Sequence, residues 1–266
     1  MENPSIEQLQ SKITLLTREL FEAKRAQQEA ERAKKEYMQN VAHQLTAPLN
    51  AVKMNIEALT YPKISMDRRQ VLLRSIYSQG TIVVHLIKNF SLMSHLEGDH
   101  DLNAFREDPE DVDLYKLSTN LCNDFQPVGK AKDQKILTNE SDFAKMGYPH
   151  LFTIKNLITQ VVYNLLENAT KYADGDSTIQ VRLLRDNGDK VLVVESVGLP
   201  IEQSEISKVF ERGYRGKTAK PKNPAGTGFG LFIARRIMQI LGGELWVVPQ
   251  GRVSRFHVLL PKGSAK

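Results

Sequence analysis

The stretch Val161-Val162-Tyr163-Asn164-Leu165-Leu166-Glu167-Asn168-Ala169-Thr170-Lys171-Tyr172 carries the strongest signal in this chain. On a helix, Asn164 and Asn168 would share one face, with their carboxamides about one turn apart. Leu165 and Leu166 would point into the core, and Lys171 would extend the polar face at the helix end. Two neutral oxygen ligands beside a cation suit a hydrated Mg²⁺ ion on a polyphosphate. From this stretch alone, asparagines that face solvent or cap the helix are an equally good interpretation.

A glycine run farther along, Gly226-Thr227-Gly228-Phe229-Gly230-Leu231, opens an apolar helical pattern. Glycines at alternate positions let the backbone approach a phosphate closely and aim helix N-terminal amides at it. A flexible linker would not lead into an amphipathic helix that closes with Gly242-Gly243. The run also lacks the Lys-Ser/Thr of a Walker loop, and the basic, loop-like segment before it does not fit a dinucleotide fingerprint.

Together these residues resemble the catalytic core of the sensor histidine kinases of two-component signalling. Asn164–Tyr172 is similar to the N box of that family, Val209–Gly213 to its F box and Gly226–Leu231 to its second glycine box. Upstream, Tyr37–Leu49 resembles the H box around the phosphorylated histidine, here His43. The four boxes stand in the family's order and span residues 37 to about 260.

The resemblance implies a kinase that uses ATP and Mg²⁺. His43 would attack the γ-phosphorus and pass the phosphoryl group to an aspartate in the receiver domain of a response regulator. Asn168, with help from Asn164, would hold the metal. The residues implied in nucleotide binding come from the N box, the two glycine boxes, the F box and the segment between them: Asn164, Asn168, Lys171, Tyr172, Ser196, Gly198, Phe210, Arg215, Gly226, Thr227, Gly228, Gly230 and Leu231.

Asn164 also separates two reaction types within the implied fold. The ATPase branches of the fold have a glutamate at this position, and it activates water. An asparagine cannot act as a general base, so the resemblance points to phosphoryl transfer to a side chain rather than to water.

The composition sets broad limits on the class of protein. The chain has 266 residues, enough for two modest domains, and a net charge of +5 with acids and bases well mixed. We therefore expect no nucleic-acid-binding stripe. No apolar run approaches about 18 residues and the N-terminus is polar, which predicts neither a membrane span nor a signal peptide. The single cysteine, Cys122, is expected to be a buried small hydrophobe in a cytoplasmic protein.

Heptad spacing predicts a coiled coil over residues 1–36. Its a positions are Ile6, Ile13, Leu20, Gln27 and Lys34, and its d positions are Leu9, Leu16, Ala23, Ala30 and Tyr37. Polar residues at a lower stability but help to fix register and oligomer state. The alternative is a single amphipathic helix packed on its own domain. The length of the pattern and the absence of a helix stop before His43 favour a homodimeric coil.

Residues 37–98 are expected to form a helical hairpin for dimerisation and histidine phosphotransfer. The heptad register places His43 at c, an exposed flank where a nucleotide can reach the imidazole, and Pro48 should loosen or bend the helix beyond it. After a break at Tyr61-Pro62-Lys63, a second helix is expected over Met66–Leu96. Its expected apolar face contains Val71, Leu72, Ile76, Val83, Leu86, Ile87, Phe90 and Met93. Two such hairpins form a four-helix bundle.

Residues 99–110 have the composition of a linker, and residues 111–262 the texture of an α/β sandwich, followed by a short tail at 263–266. Strands are expected at 111–114, 135–138, 178–184, 190–195, 244–250 and 253–260, and helices at 115–130 and 154–172. Asp186-Asn187-Gly188-Asp189 is a strong hairpin turn signal. The resemblance implies the ATP-binding fold shared with Hsp90-type ATPases. The basic segment Arg212–Ala225 would be its mobile lid.

Four positions depart from the family pattern. Gln44 follows the histidine where an acid is usual, and because general-base help is typically worth about 10²–10⁴-fold, autophosphorylation is expected to be slow. Ala47 stands where Thr or Asn positions a water, which predicts weak phosphatase activity. In the first glycine box, Ser196 replaces the aspartate that accepts a hydrogen bond from adenine, and Pro200 replaces the second glycine. A neutral acceptor is weaker than a charged one, so adenine selectivity should suffer more than phosphate binding.

Two classes of function stay open at this point. One is an active homodimeric histidine kinase core. The other is a weak or inactive relative that serves as a dimerisation or regulatory module and still binds nucleotide. Labelled ATP would separate them, with His43→Ala as the test variant and His85→Ala as its control. The sensing element is expected to be another protein or an upstream part of a longer chain.

Overall fold

A computed structural model describes residues 6–61, 63–97, 107–223 and 226–260 of the chain. It divides into two compact units, Met1–His43 and Gln44–Lys266. None of the helices in these described ranges is both long enough and apolar enough to cross a bilayer.

The first unit is formed by helix α1, which spans Ile6–Leu59 and continues into the second unit. Ile13, Leu16 and Leu20, which the heptad pattern places on the seam, are 63%, 53% and 57% exposed in the single chain. Apolar side chains at this spacing are what a coiled-coil partner would cover. The coiled coil itself stays a prediction.

Proline does not interrupt α1. The helix is continuous through Pro48 to Leu59, and the loosening or bend that the sequence predicts at this residue stays a prediction. The proline ring removes one backbone donor but does not end the helix, because the turns on either side keep their own hydrogen bonds.

Helix α2 spans Met66–Glu97 and follows α1 as the second arm of the hairpin. A hydrogen bond of 2.9 Å from Asn55 Nδ2 to Ser75 Oγ joins the two arms. The apolar face expected for α2 is only partly buried in the single chain. Leu72 and Leu86 are buried, whereas Val71 and Ile87 are 55% and 52% exposed.

The described residues of the α/β part form seven strands. Five of them, β2 (Lys135–Thr138), β4 (Thr178–Asp186), β5 (Asp189–Val197), β6 (Glu244–Gln250) and β7 (Val253–Leu259), form one sheet in the order β2-β4-β5-β7-β6. The pair β2-β4 is parallel and the other pairs are antiparallel. Strands β1 (Glu110–Asp113) and β3 (His150–Thr153) form a separate antiparallel pair. The mixed sheet agrees with the α/β sandwich expected from the sequence.

Three long helices, α3 (Leu114–Lys130), α5 (Lys155–Tyr172) and α7 (Gly230–Ile240), pack together on the sheet. Short helices α4 (Glu140–Ala144) and α6 (Ala219–Lys222) and single turns at Gln203–Glu205 and Lys208–Phe210 complete the domain. The core lies between helices and sheet. Its fully buried members include Ile158, Val161, Leu165, Leu166, Ile179, Val181, Ile233 and Ile237.

The sequence predicts most of these elements. Turn residues Asn187 and Gly188 have φ values of 50° and 91°, the left-handed pair that a tight hairpin between β4 and β5 requires. Cys122 is buried and free, and burial raises the pKa of its thiol to about 11. The sequence does not predict strand β3 or helices α4 and α6. Strand β3 pairs with β1, outside the five-stranded sheet, and a helix of four or five residues covers little more than one turn, which is too short to show a helical period.

Candidate functional site

The candidate site is a cleft of about 1020 Å³, open space included, bordered by α5, the ends of β5 and β7, and the segment that leads into α7. All nucleotide-binding residues that the resemblance implied line this cleft, with the exception of Phe210. The N box, both glycine boxes and the lid are distant in sequence, and the fold brings them together.

Phe210 lies in the core beside the cleft. It is 6% exposed, its ring centroid is 6.3 Å from that of Phe256, and the Arg235 guanidinium lies 5.2 Å above its ring. Phe256 does line the cleft. The F-box phenylalanine therefore supports the cleft wall through Phe256.

The two asparagines of the N box have different surroundings. Asn168 is half-buried and borders the cleft. Its carboxamide has no hydrogen-bond partner among the described residues, so its oxygen is available to a ligand. Asn164 is 1% exposed, and its Oδ1 accepts hydrogen bonds from Asn89 Nδ2 at 2.8 Å and from Gln160 Nε2 at 3.2 Å. The Asn164 oxygen is thus already engaged.

Asn164 belongs to a buried polar network between α2 and α5. Asn89 Oδ1 accepts from Gln160 Nε2 at 2.9 Å and from Asn164 Nδ2 at 3.2 Å. Gln160 Oε1 lies 2.7 Å from His85 Nδ1. Since the amide nitrogen of Gln160 is donating elsewhere, Nδ1–H of His85 is the donor in this contact. The His85 ring also stacks on Tyr163, with ring centroids 3.7 Å apart.

Burial lowers the pKa of His85, while its hydrogen bond to Gln160 acts in the opposite direction. The imidazole is therefore a neutral member of the interface. His85→Ala is therefore unsuitable as the control for His43→Ala in the labelling experiment, because it would disrupt a buried interface. His150 is better suited as a control, because its side chain is 51% exposed. Its contact is with Asp111, whose Oδ2 lies 2.8 Å from His150 Nδ1, and not with the buried interface.

Three lysines gather at the carboxyl end of α5. Lys171 pairs with Glu167 at 2.9 Å, Lys132 Nζ donates to the Thr170 carbonyl at 2.8 Å, and Lys222 Nζ donates to the Tyr172 carbonyl at 2.9 Å. Burial lowers the pKa of Lys132, and the charges of Lys171 and Lys222 lower it further. The negative end of the helix dipole and its unpaired carbonyls favour cations here.

The described part of the lid is held at both of its ends. Buried Glu205 accepts hydrogen bonds from the Tyr214 hydroxyl at 3.0 Å and from the Lys217 backbone amide at 3.1 Å. At the other end Lys222 binds the end of α5, as described above. The Arg215 guanidinium donates to the Asn223 carbonyl within the lid. Residues 224 and 225, which the expected lid includes, lie outside the described residues.

Two glycines of the cleft are required by close backbone approaches. Gly228 has a φ of 71°, and a Cβ there would lie 2.6 Å from the Tyr214 carbonyl oxygen. A Cβ at Gly198 would collide with the Tyr172 carbonyl oxygen and lie 2.6 Å from Ala173 Cα. Both contacts are with backbone, which cannot easily move away. These glycines let the loops lie against the lid and the end of α5.

Hydroxyl and apolar side chains also line the cleft. Ser196 on β5 and Ser254 on β7 are directly paired across the two strands and are both buried. Phe256 lies two residues beyond Ser254 on the same face of β7, and Ile201 and Val209 also line the cleft. The resemblance pointed to Ser196. The sequence does not identify Ser254, because the alternation of residues along β7 does not show which residue of the neighbouring strand each one pairs with.

The remaining implied catalytic residues lie on α1. His43 is exposed, as its heptad position predicts, and Gln44 is half-buried. In the described ranges no three His, Cys, Asp or Glu side chains are grouped as a metal cage. Asn168 nevertheless fits Mg²⁺, which keeps several waters and takes few protein ligands when it is bound with substrate phosphates.

Residues 153–264 match the family described as "Histidine kinase-, DNA gyrase B-, and HSP90-like ATPase". The adaptive-response sensory kinase SasA of Gloeothece citriformis is 31% identical over 92% of this chain and 63% of its own length. The circadian input-output histidine kinase CikA of Synechococcus elongatus is 24% identical over 96% of this chain, which spans 33% of that protein. The chain therefore covers between about a third and two thirds of these relatives.

Solved structures share the fold. The full-length kinase ShkA in complex with AMPPNP superposes with a TM-score of 0.56 at 18% identity, over 87% of this chain and 46% of that one. The histidine kinase AdeS of Acinetobacter baumannii gives a TM-score of 0.50 at 18% identity, over 82% of this chain and 96% of that one.

Proposed function

We propose that this chain, which has the catalytic core of a sensor histidine kinase, transfers the γ-phosphoryl group of Mg-ATP to His43 and from there to an aspartate of a response regulator. The observation that carries the proposal is the gathering of the N box, both glycine boxes and the lid around one cleft. Asn164 supports transfer rather than hydrolysis, because a carboxamide cannot deprotonate a water molecule.

The cleft residues divide the work of binding the nucleotide. The Asn168 oxygen would hold Mg²⁺, which supplies charge neutralisation to the phosphate oxygens when bound. Backbone amides near Gly228 and Gly230 would hold the phosphates at the start of α7. Lys171 shares its charge with Glu167 and would offset the remaining phosphate charge.

His43 would be the nucleophile. A neutral imidazole nitrogen forms a bond to the γ-phosphorus as the bond to the ADP oxygen breaks, which gives phosphohistidine and ADP. The exposure of His43 on the flank of α1 supports this role. Gln44 can hydrogen-bond to the imidazole but cannot take up its proton, so we expect this step to be slow.

A homodimer would form through the hairpin. Leu73, Tyr77, Val84 and Ile87 follow one another at intervals of three, four or seven residues along α2 and are 52%, 69%, 50% and 52% exposed. On α1, Leu49 and Ile56 lie seven residues apart and are 52% and 50% exposed. Apolar stripes on neighbouring helices are what a four-helix bundle buries.

Labelling with [γ-³²P]ATP tests the proposal. Acid-labile, base-stable label on the wild-type chain that is absent from His43→Ala and retained in His150→Ala is the expected result. Label that persists in His43→Ala would overturn the assignment of the acceptor. Nucleotide binding with no label on any variant would instead favour the inactive regulatory module.

A further inference from the structure

We infer that Ser196 and Ser254 form a hydroxyl pair that can hydrogen-bond to either a 6-amino or a 6-oxo group of a purine base. Nucleotides with a 6-oxopurine base should therefore bind this cleft about as well as ATP. The inference rests on the proposed function, because it concerns the base of the same nucleotide. It goes beyond a weakened contact to adenine, since a second hydroxyl works together with the first.

The two serines are neighbours on the floor of the cleft. They form a direct cross-strand pair in the register of β5 and β7, and opposed residues have Cβ atoms about 4.5–5.5 Å apart. The next pair on the same face, Val194 and Phe256, is buried in the core. The serine pair therefore lies next to buried apolar residues of the same sheet face and borders the cleft.

Both hydroxyls are available to a ligand. Ser196 and Ser254 are 8% and 6% exposed as residues, and both line the cleft. Neither side chain has a hydrogen-bond partner among the residues that the structure describes, and neither oxygen is enclosed without one. What exposure they have is therefore directed toward the cleft.

Among the residues that the structure describes, no unengaged carboxylate lines the cleft beside the two serines. Two acids line the cleft, and both are engaged, Glu167 with Lys171 and Glu205 with Tyr214 and the Lys217 amide. A third acid near the end of α5, Asp174, pairs with Arg252 at 2.5 Å. The hydroxyl pair therefore offers polar contacts to a ligand beside the apolar ring of Phe256.

The chemistry of a hydroxyl explains the expected tolerance. Adenine presents a donor at its 6-amino group and an acceptor at N1, whereas hypoxanthine presents an acceptor at its 6-oxo group and a donor at N1–H. An ionised carboxylate only accepts, so it matches the donor of adenine and repels a 6-oxo group. Each serine hydroxyl can donate or accept by rotating its proton, so the pair can match both patterns.

Calorimetric titration with ATP and with inosine triphosphate, each with excess MgCl₂, tests the inference on the whole chain. Because the two bases differ only at position 6 and N1, the ratio of their dissociation constants isolates this contact. We expect a ratio within about tenfold for the wild type. Ser196→Asp should raise the ratio in favour of ATP to about 100-fold or more, since polar groups left unpaired or mismatched discriminate strongly.

Matched variants complete the test. Ser254→Asp should favour ATP in the same direction, so the inference stays testable if Ser196→Asp fails to fold. Ser141→Ala, an exposed serine on α4 outside the cleft, should leave the ratio unchanged. A wild-type preference for ATP above about 100-fold would overturn the inference and leave the proposed function intact. Binding of neither nucleotide would overturn both.

Discussion

Asn89 of α2 and Asn164 of α5 exchange a reciprocal pair of hydrogen bonds, at 2.8 and 3.2 Å, and both side chains are buried. A buried amide that loses its partner costs about 1–3 kcal/mol. We therefore expect Asn89→Leu to lower the free energy of unfolding by about this amount, as measured by urea denaturation. The same substitution at exposed Asn50 serves as its control. Equal losses for the two variants would contradict an energetic role for the pair.

A side chain at Gly228 should disrupt nucleotide binding. Gly228→Ala would place a Cβ 2.6 Å from the Tyr214 carbonyl oxygen and 2.7 Å from the Gly213 carbonyl carbon, so the loop must shift. Gly242 has a similar φ of 74° but nothing within 4 Å of such a Cβ. Gly242→Ala should cost only backbone strain, about 1–2 kcal/mol. Titration of both variants with ATP is expected to show weakened binding for Gly228→Ala alone.

Removal of the Lys222 amine should loosen the lid. Its contacts with the Tyr172 and Ala173 carbonyls, at 2.9 and 3.3 Å, join the lid to the end of α5. We expect Lys222→Met to speed backbone hydrogen exchange over residues 212–223. Lys220→Met, an exposed lysine on the same short helix, preserves these contacts and should exchange as the wild type does. Indistinguishable exchange in the two variants would argue against the Lys222 contact.

An acid after the phosphoacceptor should accelerate autophosphorylation. Gln44→Glu would supply a group that can take up the imidazole proton, and we expect the initial rate of label incorporation to rise on the order of 10²-fold. Gln39→Glu adds the same charge at an exposed position on α1 and is the matched control. A rate unchanged in Gln44→Glu would mean that proton uptake does not limit the reaction.

The stability of the α2–α5 contact should fall in mild acid. Burial holds the pKa of His85 below its ordinary value of 6.5, whereas in the unfolded chain the imidazole protonates freely. The unfolded state therefore binds more protons below about pH 6.5, and the free energy of unfolding decreases as the pH falls. The charges of Lys88 and Glu167 act on this group in opposite directions, Lys88 lowering its pKa and Glu167 raising it.

Urea denaturation at about pH 7.5 and about pH 5.5 measures this effect. One pH unit below 6.5 is worth at most about 1.4 kcal/mol for a single group. His85→Phe keeps a ring against Tyr163 but cannot titrate, so its free energy of unfolding should change less between the two conditions. His43→Phe, which removes an exposed histidine outside the α2–α5 contact, is the matched control. An equal pH dependence in wild type and His85→Phe would exclude His85 as the source.

Local patterns in the sequence predict the elements that form the cleft. The apolar spacing around Asn164 and Asn168 locates α5 to within a residue, and the glycine run locates the start of α7. These predictions succeed because the helices bury continuous apolar faces, which the sequence records directly.

Long-range polar contacts could not be predicted in the same way. His85 and Asn89 stand one turn apart on α2, and periodicity assigns such residues to a solvent-facing side. In the structure, Gln160 and Asn164 of α5 are the hydrogen-bond partners of these two residues. The sequence of α2 does not indicate which residues these partners are. Glu205 was missed for a similar reason, because a lone acid in a loop gives no sign that a tyrosine hydroxyl and a backbone amide will enclose it.

The engagement of the Asn164 oxygen by α2 has a thermodynamic consequence. This atom would also lie 4.0 Å from a Cβ at Gly230, so it faces the glycine box from the other side. A ligand that takes the Asn164 oxygen must compete with Asn89 for it. Coupling of this kind is reciprocal. The factor by which contact with α2 lowers the affinity for that ligand equals the factor by which the bound ligand lowers the affinity of α2 for the rest of the domain.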